Sequence, residues 1–280
     1  MTHTSTSIVA GIDGSSGSRS AALVAGVLAT QLGDRLVLAH AADDPPPFPY
    51  GDPRARELER RRAVRAGASL VERTGRDLQA ESRVVLGDPA EALADIAEEE
   101  AAELLVVGAR GHTGLAAALL GSVSQRLAAT AGCPLLIVPP GAGHRFLIEA
   151  GTDGRIVCGV DGSEESRRAL AVAERLATRL DAEVDPVFVD AARGGQEAPP
   201  IPLRVEVGDP VRELREQGAW IGVRMLAVGS RGHGPVRRAL LGSVSAALAA
   251  TAACPVLVVP PTTMLGDALD PARRNGAIPA

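Results

Sequence analysis

The chain has 280 residues, 46% of them hydrophobic, and a formal net charge of -5. That is enough apolar material for two domains with real cores, without the basic footprint that nucleic acid requires. All 29 basic side chains are arginine, which excludes a GxxxxGK[ST] phosphate loop; any phosphate must be met by backbone amides, hydroxyls and guanidinium groups.

Residues 1–7 are polar, and Ile8 to Ile12 reads as the first strand, closing on Asp13-Gly14-Ser15-Ser16. Ser16 or Ser18 starts a helix running to about Leu32, and Arg35 to Ala39 is the second strand, followed by His40 and Ala41. A proline-rich stretch leads into an arginine-rich helix from Arg54 to about Thr74, read as a solvated face. Glu81 to Leu86 then meets Gly87-Asp88-Pro89, a strand followed by a capped helix with proline in its first turn. Leu104 to Val107 is an apolar run closed by glycine, as in a strand buried on both faces of a parallel sheet. Ser122 to Ala131 reads as a helix with Ser122 at its N-cap and Gln125 completing a capping box, and Leu135 to Val138 is the fifth strand.

Residues 139–155 carry glycines and no clear period, so they read as a linker. The order then repeats. Ile156 to Val160 ends in Asp161-Gly162-Ser163, Val205 to Val207 meets Gly208-Asp209-Pro210, and Met225 to Val228 precedes a second helix from Ser243 to Ala252. Asp161 follows Asp13 by 148 residues, whereas Gly208 follows Gly87 by only 121. The 27 missing residues fall where the arginine-rich helix stands in the first half, so the second half is expected to lack that helix. The reading is two domains, 1–140 and 154–261, with a disordered tail over 262–280.

One stretch occurs twice. Residues 108–140 and 229–261 align without a gap and share 22 of 33 positions. Both copies have a glycine closing the strand, a second glycine three residues on, nine residues, then a Gly-Ser pair: Gly108, Gly111, Gly121 and Ser122, and again Gly229, Gly232, Gly242 and Ser243. A strand-to-helix connector this long exceeds the usual two to six residues or so. Glycine lets backbone approach a ligand, and a helix N-terminus offers unpaired N–H groups, a combination that suits an anion, most simply phosphate. The alternative is that the glycines only make turns and the serines only cap helices. Asp13 and Asp161, at the ends of central strands, lie either at the ligand-binding carboxyl edge of a parallel sheet or simply in turns. The three cysteines, Cys133, Cys158 and Cys254, have no metal-ligand spacing and read as small buried hydrophobes.

On these motifs the chain, from residue 8 to 261, resembles the universal stress protein family in its tandem form. The resemblance implies an α/β fold of two flavodoxin-like or Rossmann-like parallel five-stranded sheets in order 3-2-1-4-5, with ATP, accompanied or not by Mg2+, at the carboxyl edge. It also implies that Gly11, Asp13 and Ala41 in one half, and Gly159, Asp161 and Val189 in the other, wall the adenosine. The loop glycines with Arg110 or Arg231 cradle phosphates and ribose, Ser122 and Ser124 or Ser243 and Ser245 donate to phosphate oxygens, and Val123 and Val244 contribute backbone. Ala41 is smaller than the branched residue common in the family there, and the deletion begins just after Val189.

The leading functional reading is an ATP-binding regulatory protein of the stress response, with no catalytic residues and no metal site assigned. Two alternatives stand beside it: a slow ATPase or nucleotidyl-transferring enzyme using His112 or His233, and an interaction scaffold without nucleotide. Expected partners are an adenine nucleotide and the other half of the chain, since residues 134–140 and 255–261 can pair as a pseudo-dimer, with a homodimer beyond that open. With no secretory h-region and no apolar run of bilayer length, a cytoplasmic location is expected and no membrane partner.

Overall fold

The computed structural model describes residues 6–46, 53–111, 119–149, 154–191, 198–232 and 241–263. In the first half β1 (Ser7–Gly11), α1 (Ser16–Leu32), β2 (Arg35–Ala42), α2 (Pro53–Thr74), β3 (Ala80–Leu86), α3 (Pro89–Glu99), β4 (Ala102–Gly108), α4 (Ser122–Thr130) and β5 (Leu135–Val138) follow one another. After α5 (Ala142–Glu149) come β6 (Gly154–Gly159), α6 (Glu164–Leu180), β7 (Ala182–Asp190), β8 (Arg204–Val207), α7 (Pro210–Gly218), β9 (Val223–Gly229), α8 (Ser243–Thr251) and β10 (Val256–Val259).

Each half has the expected strand order 3-2-1-4-5, and the two sheets are joined into one of ten strands, β3-β2-β1-β4-β5-β10-β9-β6-β7-β8. The join is the antiparallel pair β5–β10, with Leu136 opposite Leu257, while the pairs on either side of it are parallel. Every residue of β1, β5, β9 and β10 is buried, as strands covered by helices on both faces must be. Because β5 and β10 run in opposite directions, the carboxyl ends of the two halves emerge at opposite edges of the common sheet.

Side-chain caps set the starts of four helices. Ser15, one residue before the expected start, caps α1 by accepting from the Ser18 amide, and Ser163 does the same for α6 with Ser166. Asp88 and Asp209 cap α3 and α7, each followed by proline as expected. Of the described residues of α2 only Gly67 and Val71 are fully buried, with Leu70 packed against the same core, and most of its arginines face outward. His40 lies beneath that helix: a Cβ on Gly67 would sit 2.5 Å from His40 Cδ2. The imidazole Nδ1 is 2.7 Å from the Ile12 carbonyl, to which it donates, so this histidine is structural.

Three expectations change. The linker contains a helix, α5, held by tertiary contacts: Phe146 is buried, and Arg145 Nη1 donates to the Gly218 carbonyl at 3.0 Å. Ser122 does not cap α4; Gly121 occupies the N-cap and no side chain bonds there. Thr262 and Thr263, placed in a disordered tail by the sequence, are packed: Thr263 is buried and Thr262 Oγ1 donates to the Ala131 carbonyl at 2.5 Å; the rest of that expectation, residues 264–280, lies outside the described residues.

Among the described residues no helix lies between β7 and β8, where α2 stands in the first half; residues 192–197 of that connection lie outside the described residues. Ala198 and Leu203 of the connector pack against the same apolar cluster that Val71 of α2 joins in the first half. Their cover is partial. Val84 of β3 sits under α2, with Cγ1 2.9 Å from where a Gly67 Cβ would be, but its counterpart Val205 and the nearby Val207 are each 54% exposed.

The halves also meet through charge. Arg179 of α6 reaches Asp34 Oδ1 at 3.0 Å, the Leu32 carbonyl at 2.7 Å, and Glu103, whose other oxygen lies 3.4 Å from Arg175 Nε. Both carboxylates are nearly inaccessible, so the guanidinium groups replace their lost hydration.

Candidate functional site

The site is built twice, from the ends of the first and fourth strands of each half and the helix that follows the fourth. In the second half, all ten residues singled out from sequence line one cavity of about 280 Å3: Gly159, Asp161, Val189, Gly229, Arg231, Gly232, Gly242, Ser243, Val244 and Ser245. Sequence reasoning missed Val187, Ala191, Pro210 and Leu214 on the same wall. The signal for Val187 was its place two residues before Val189 on a strand, which puts both on one face.

The loop and the strand-end aspartate are in close contact. Asp161 Oδ1 accepts from the Ser163 amide at 3.0 Å and from Ser163 Oγ at 2.6 Å, an Asx turn that opens α6. Its second oxygen faces the loop: a Cβ on Gly232 would fall 2.3 Å from Asp161 Oδ2. The first half repeats this, with the Ser15 amide 2.9 Å from Asp13 Oδ1 and a Gly111 Cβ 2.4 Å from Oδ2. Each aspartate is therefore both a turn residue and the floor of the loop. No side chain fits at either glycine without displacing a carboxylate.

The strand-end glycines serve packing. A Cβ on Gly108 would meet the backbone of Gly17 at 2.7 Å, and one on Gly229 that of Glu165 at 2.8 Å. Gly11 and Gly159 admit the leucines of the neighbouring helices, Leu93 Cδ1 and Leu214 Cδ1, at 2.8 and 2.9 Å from the would-be Cβ. Ala41 lies in β2 and Val189 in β7 at equivalent registers, since Ala39 pairs with Gly11 as Val187 pairs with Gly159.

At the helix ends the serines divide their work. Ser122 and Ser243 are exposed at the first helical positions, next to the half-buried Val123 and Val244. Ser124 and Ser245 are buried, and their hydroxyls donate to the Gly108 and Gly229 carbonyls at 2.9 and 2.7 Å. Those two protons are engaged by the strand ends, so a donor role toward a ligand falls to Ser122, Ser243 and the amides. Unlike α1, α3, α6 and α7, helices α4 and α8 start at glycines, Gly121 and Gly242, with no side-chain cap bond. Their first amides are aimed at the carboxyl edge with the positive end of the dipole.

The arginines differ in what they touch. Arg231 lines the second cavity, while Arg110 Nη2 donates across the molecule to the Ala250 carbonyl of α8 at 3.4 Å. Beside the first site, Arg126 of α4 bonds Asp88, which holds that carboxyl below its usual range together with the Glu91 and Ala90 amides. His112 and His233, on which an enzymatic reading rests, lie outside the described residues. The described residues include no group of three or more His, Cys, Asp or Glu able to hold a metal ion. Nor is any described helix long and apolar enough to cross a membrane.

Tandem parallel sheets with glycine-rich connectors to uncapped helices define a class, and comparison with known proteins assigns it. The model of the universal stress protein family matches residues 5–139, 154–201 and 190–260. The chain belongs to the universal stress protein family. A universal stress protein of Mycobacterium tuberculosis is 32% identical over 289 aligned residues, spanning 90% of this chain and 96% of its own. Another, of Thermus aquaticus, is 37% identical over 136 residues, 47% of this chain and 96% of its own, as expected for a relative the length of one half. A crystal structure of a universal stress protein from Archaeoglobus fulgidus superposes with a TM-score of 0.63 at 20% identity, covering 92% of this chain and 99% of that one. That similarity shows the fold.

Proposed function

We propose that this protein binds ATP or a related adenine nucleotide at the carboxyl edge of each half and acts as a regulatory member of the stress response. The observation that carries the reading is the contrast in capping. Four helices at strand ends are closed by their own side chains, while the two that follow the glycine loops start at glycines with no side-chain cap bond among the described residues. In a chain without lysine, their first amides, with the exposed Ser122 and Ser243 and an arginine in each loop, are the chemistry that fits phosphate.

The second cavity fits the rest of such a ligand. Val187, Val189 and Leu214 offer an apolar wall to a planar base, and Asp161 a carboxylate to a sugar hydroxyl. With no group of three or more His, Cys, Asp or Glu able to hold a metal among the described residues, a Mg2+ ion would be held through the phosphate oxygens rather than by a protein cage. Isothermal titration of the purified chain with ATP tests the proposal, together with mass spectrometry of small molecules released on denaturation. Binding in the micromolar range supports it; no heat at millimolar ATP and no released nucleotide would overturn it.

A further inference from the structure

The two sites lie at opposite edges of the sheet, yet a residue of the first loop is bonded to the helix of the second. Arg110, immediately before Gly111, extends Nη2 to the carbonyl oxygen of Ala250 at 3.4 Å. Ala250 stands in the last turn of α8, where carbonyls have no helical N–H to accept. The Leu248 carbonyl takes the Ala252 amide, and the Ala250 carbonyl takes the guanidinium. A cation there also meets the negative end of the helix dipole. The corresponding end of α4 is closed from the other half too, by Thr262 Oγ1 on the Ala131 carbonyl at 2.5 Å. Each of these helices thus turns its bare N-terminus to its own site and has its far end held by a donor from the opposite half. Only for α8 does that donor belong to a loop singled out as ligand-binding.

We infer that the two sites are coupled through Arg110. A phosphate at the first site competes with the Ala250 carbonyl for the guanidinium. When Arg110 turns to the ligand, the last turn of α8 loses its cap and its compensating charge, and the helix whose N-terminus forms the second site frays from its far end. The sign is negative: ligand at the first site weakens the second. One exposed charge at a helix terminus changes an equilibrium by about two- to five-fold, which sets the size of the effect. By linkage, ligand at the second site weakens the first by the same factor. This rests on the nucleotide-binding reading above.

The test isolates the first site and watches the second helix. Gly232→Val places its side chain against Asp161 and closes the second cavity, so ATP is left only the first site; Asp161→Ala disables the same cavity by removing a side chain and serves if the valine variant does not fold. Titration calorimetry should give one ATP per chain. Amide exchange of residues 243–252, followed by mass spectrometry, should accelerate two- to five-fold in the last turn of α8 when ATP is added. In the same background Arg110→Ala should exchange fast with or without ATP. In the converse variant, Gly111→Val, the second site should bind ATP two- to five-fold more tightly than it does in the intact chain with its first site filled. ATP binding with α8 exchange unchanged in both backgrounds overturns the coupling and leaves the nucleotide reading standing. ATP binding to neither the intact chain nor the variants removes that reading, and the coupling with it.

Discussion

The contact between the loop glycine and the strand-end carboxylate predicts that one methyl group disables the second site. In Gly232→Ala the new Cβ would lie 2.3 Å from Asp161 Oδ2 and 3.5 Å from its Cγ. Real Cβ contacts are not made so close, so the carboxylate must move by an ångström or more. Asp161 cannot move freely, because Oδ1 is held by the Ser163 amide and hydroxyl at 3.0 and 2.6 Å. A hydrogen bond to a charged group contributes about 1.5–3 kcal/mol; with water able to replace part of this at a half-buried carboxylate, the net loss of stability should be about 1.5 kcal/mol. The effect on ligand is larger in proportion, since the displaced group enters a cavity of only about 280 Å3. We expect at least a tenfold loss of ATP affinity at that site, about 1.4 kcal/mol. Urea denaturation and titration calorimetry on the same samples measure both quantities. A Gly232→Ala protein with the stability and both affinities of the parent would refute the argument from this contact. Gly111→Ala, whose Cβ meets Asp13 Oδ2 at 2.4 Å, should repeat the result at the first site.

Other consequences can be measured independently. Arg179→Met leaves Asp34 and Glu103, both nearly buried, short of a cation; single removals from buried pairs cost about 3–5 kcal/mol, and with Arg179 itself partly exposed we expect a loss of about 2 kcal/mol in the unfolding free energy from urea denaturation, a loss below about 0.5 kcal/mol refuting the role. Burial pushes the Cys133 and Cys254 thiols up to about 12 and raises Cys158 likewise, so native protein should react with a thiol reagent at pH 8 no faster than it unfolds. Because these folded values lie above that of an unfolded thiol, their contribution is complete below about pH 8.5 and is lost as pH rises toward 12. Stability should therefore fall across that window, and less steeply in a Cys133→Ala, Cys254→Ala protein. Val84→Thr, under α2, should destabilise by about 1 kcal/mol or more, while Val205→Thr, half-exposed at the equivalent position, should stay within about 0.5 kcal/mol; equal losses would mean that Val205 is as well covered as Val84.

The duplication made much of this legible. A residue pattern met at Gly108 and again at Gly229 fixed which strand ends and helix starts to compare, and the offset between Asp13–Asp161 and Gly87–Gly208 located the absent helix to one connection. What escaped was decided by tertiary contact. Residues 139–155 have glycines at 141 and 143 and little helical period, yet α5 forms because Phe146 is buried and Arg145 is anchored on the Gly218 carbonyl. The capping box at Ser122 and Gln125 was a sound local signal that the strand end overrode: Gly121 takes the cap position, with its amide bonded to the Ala109 carbonyl at 2.8 Å. The direction of Arg110 was invisible because its acceptor is 140 residues away, in the other half.

The two ends of the ten-stranded sheet are finished differently. At one end β3 has seven residues and α2 overhead; at the other β8 has four and exposed valines. A short outermost strand hydrogen-bonded along one side opens at low free-energy cost, long before the centre of a sheet does. Val189, on the wall of the second cavity, belongs to the strand that β8 edges, at a register opposite Glu206. One wall of the second cavity therefore rests on the shorter and less covered end of the sheet, while the equivalent strand of the first half, β2, is edged by the longer β3 beneath α2. Two sites with nearly the same loops should on that account exchange their contents at different speeds.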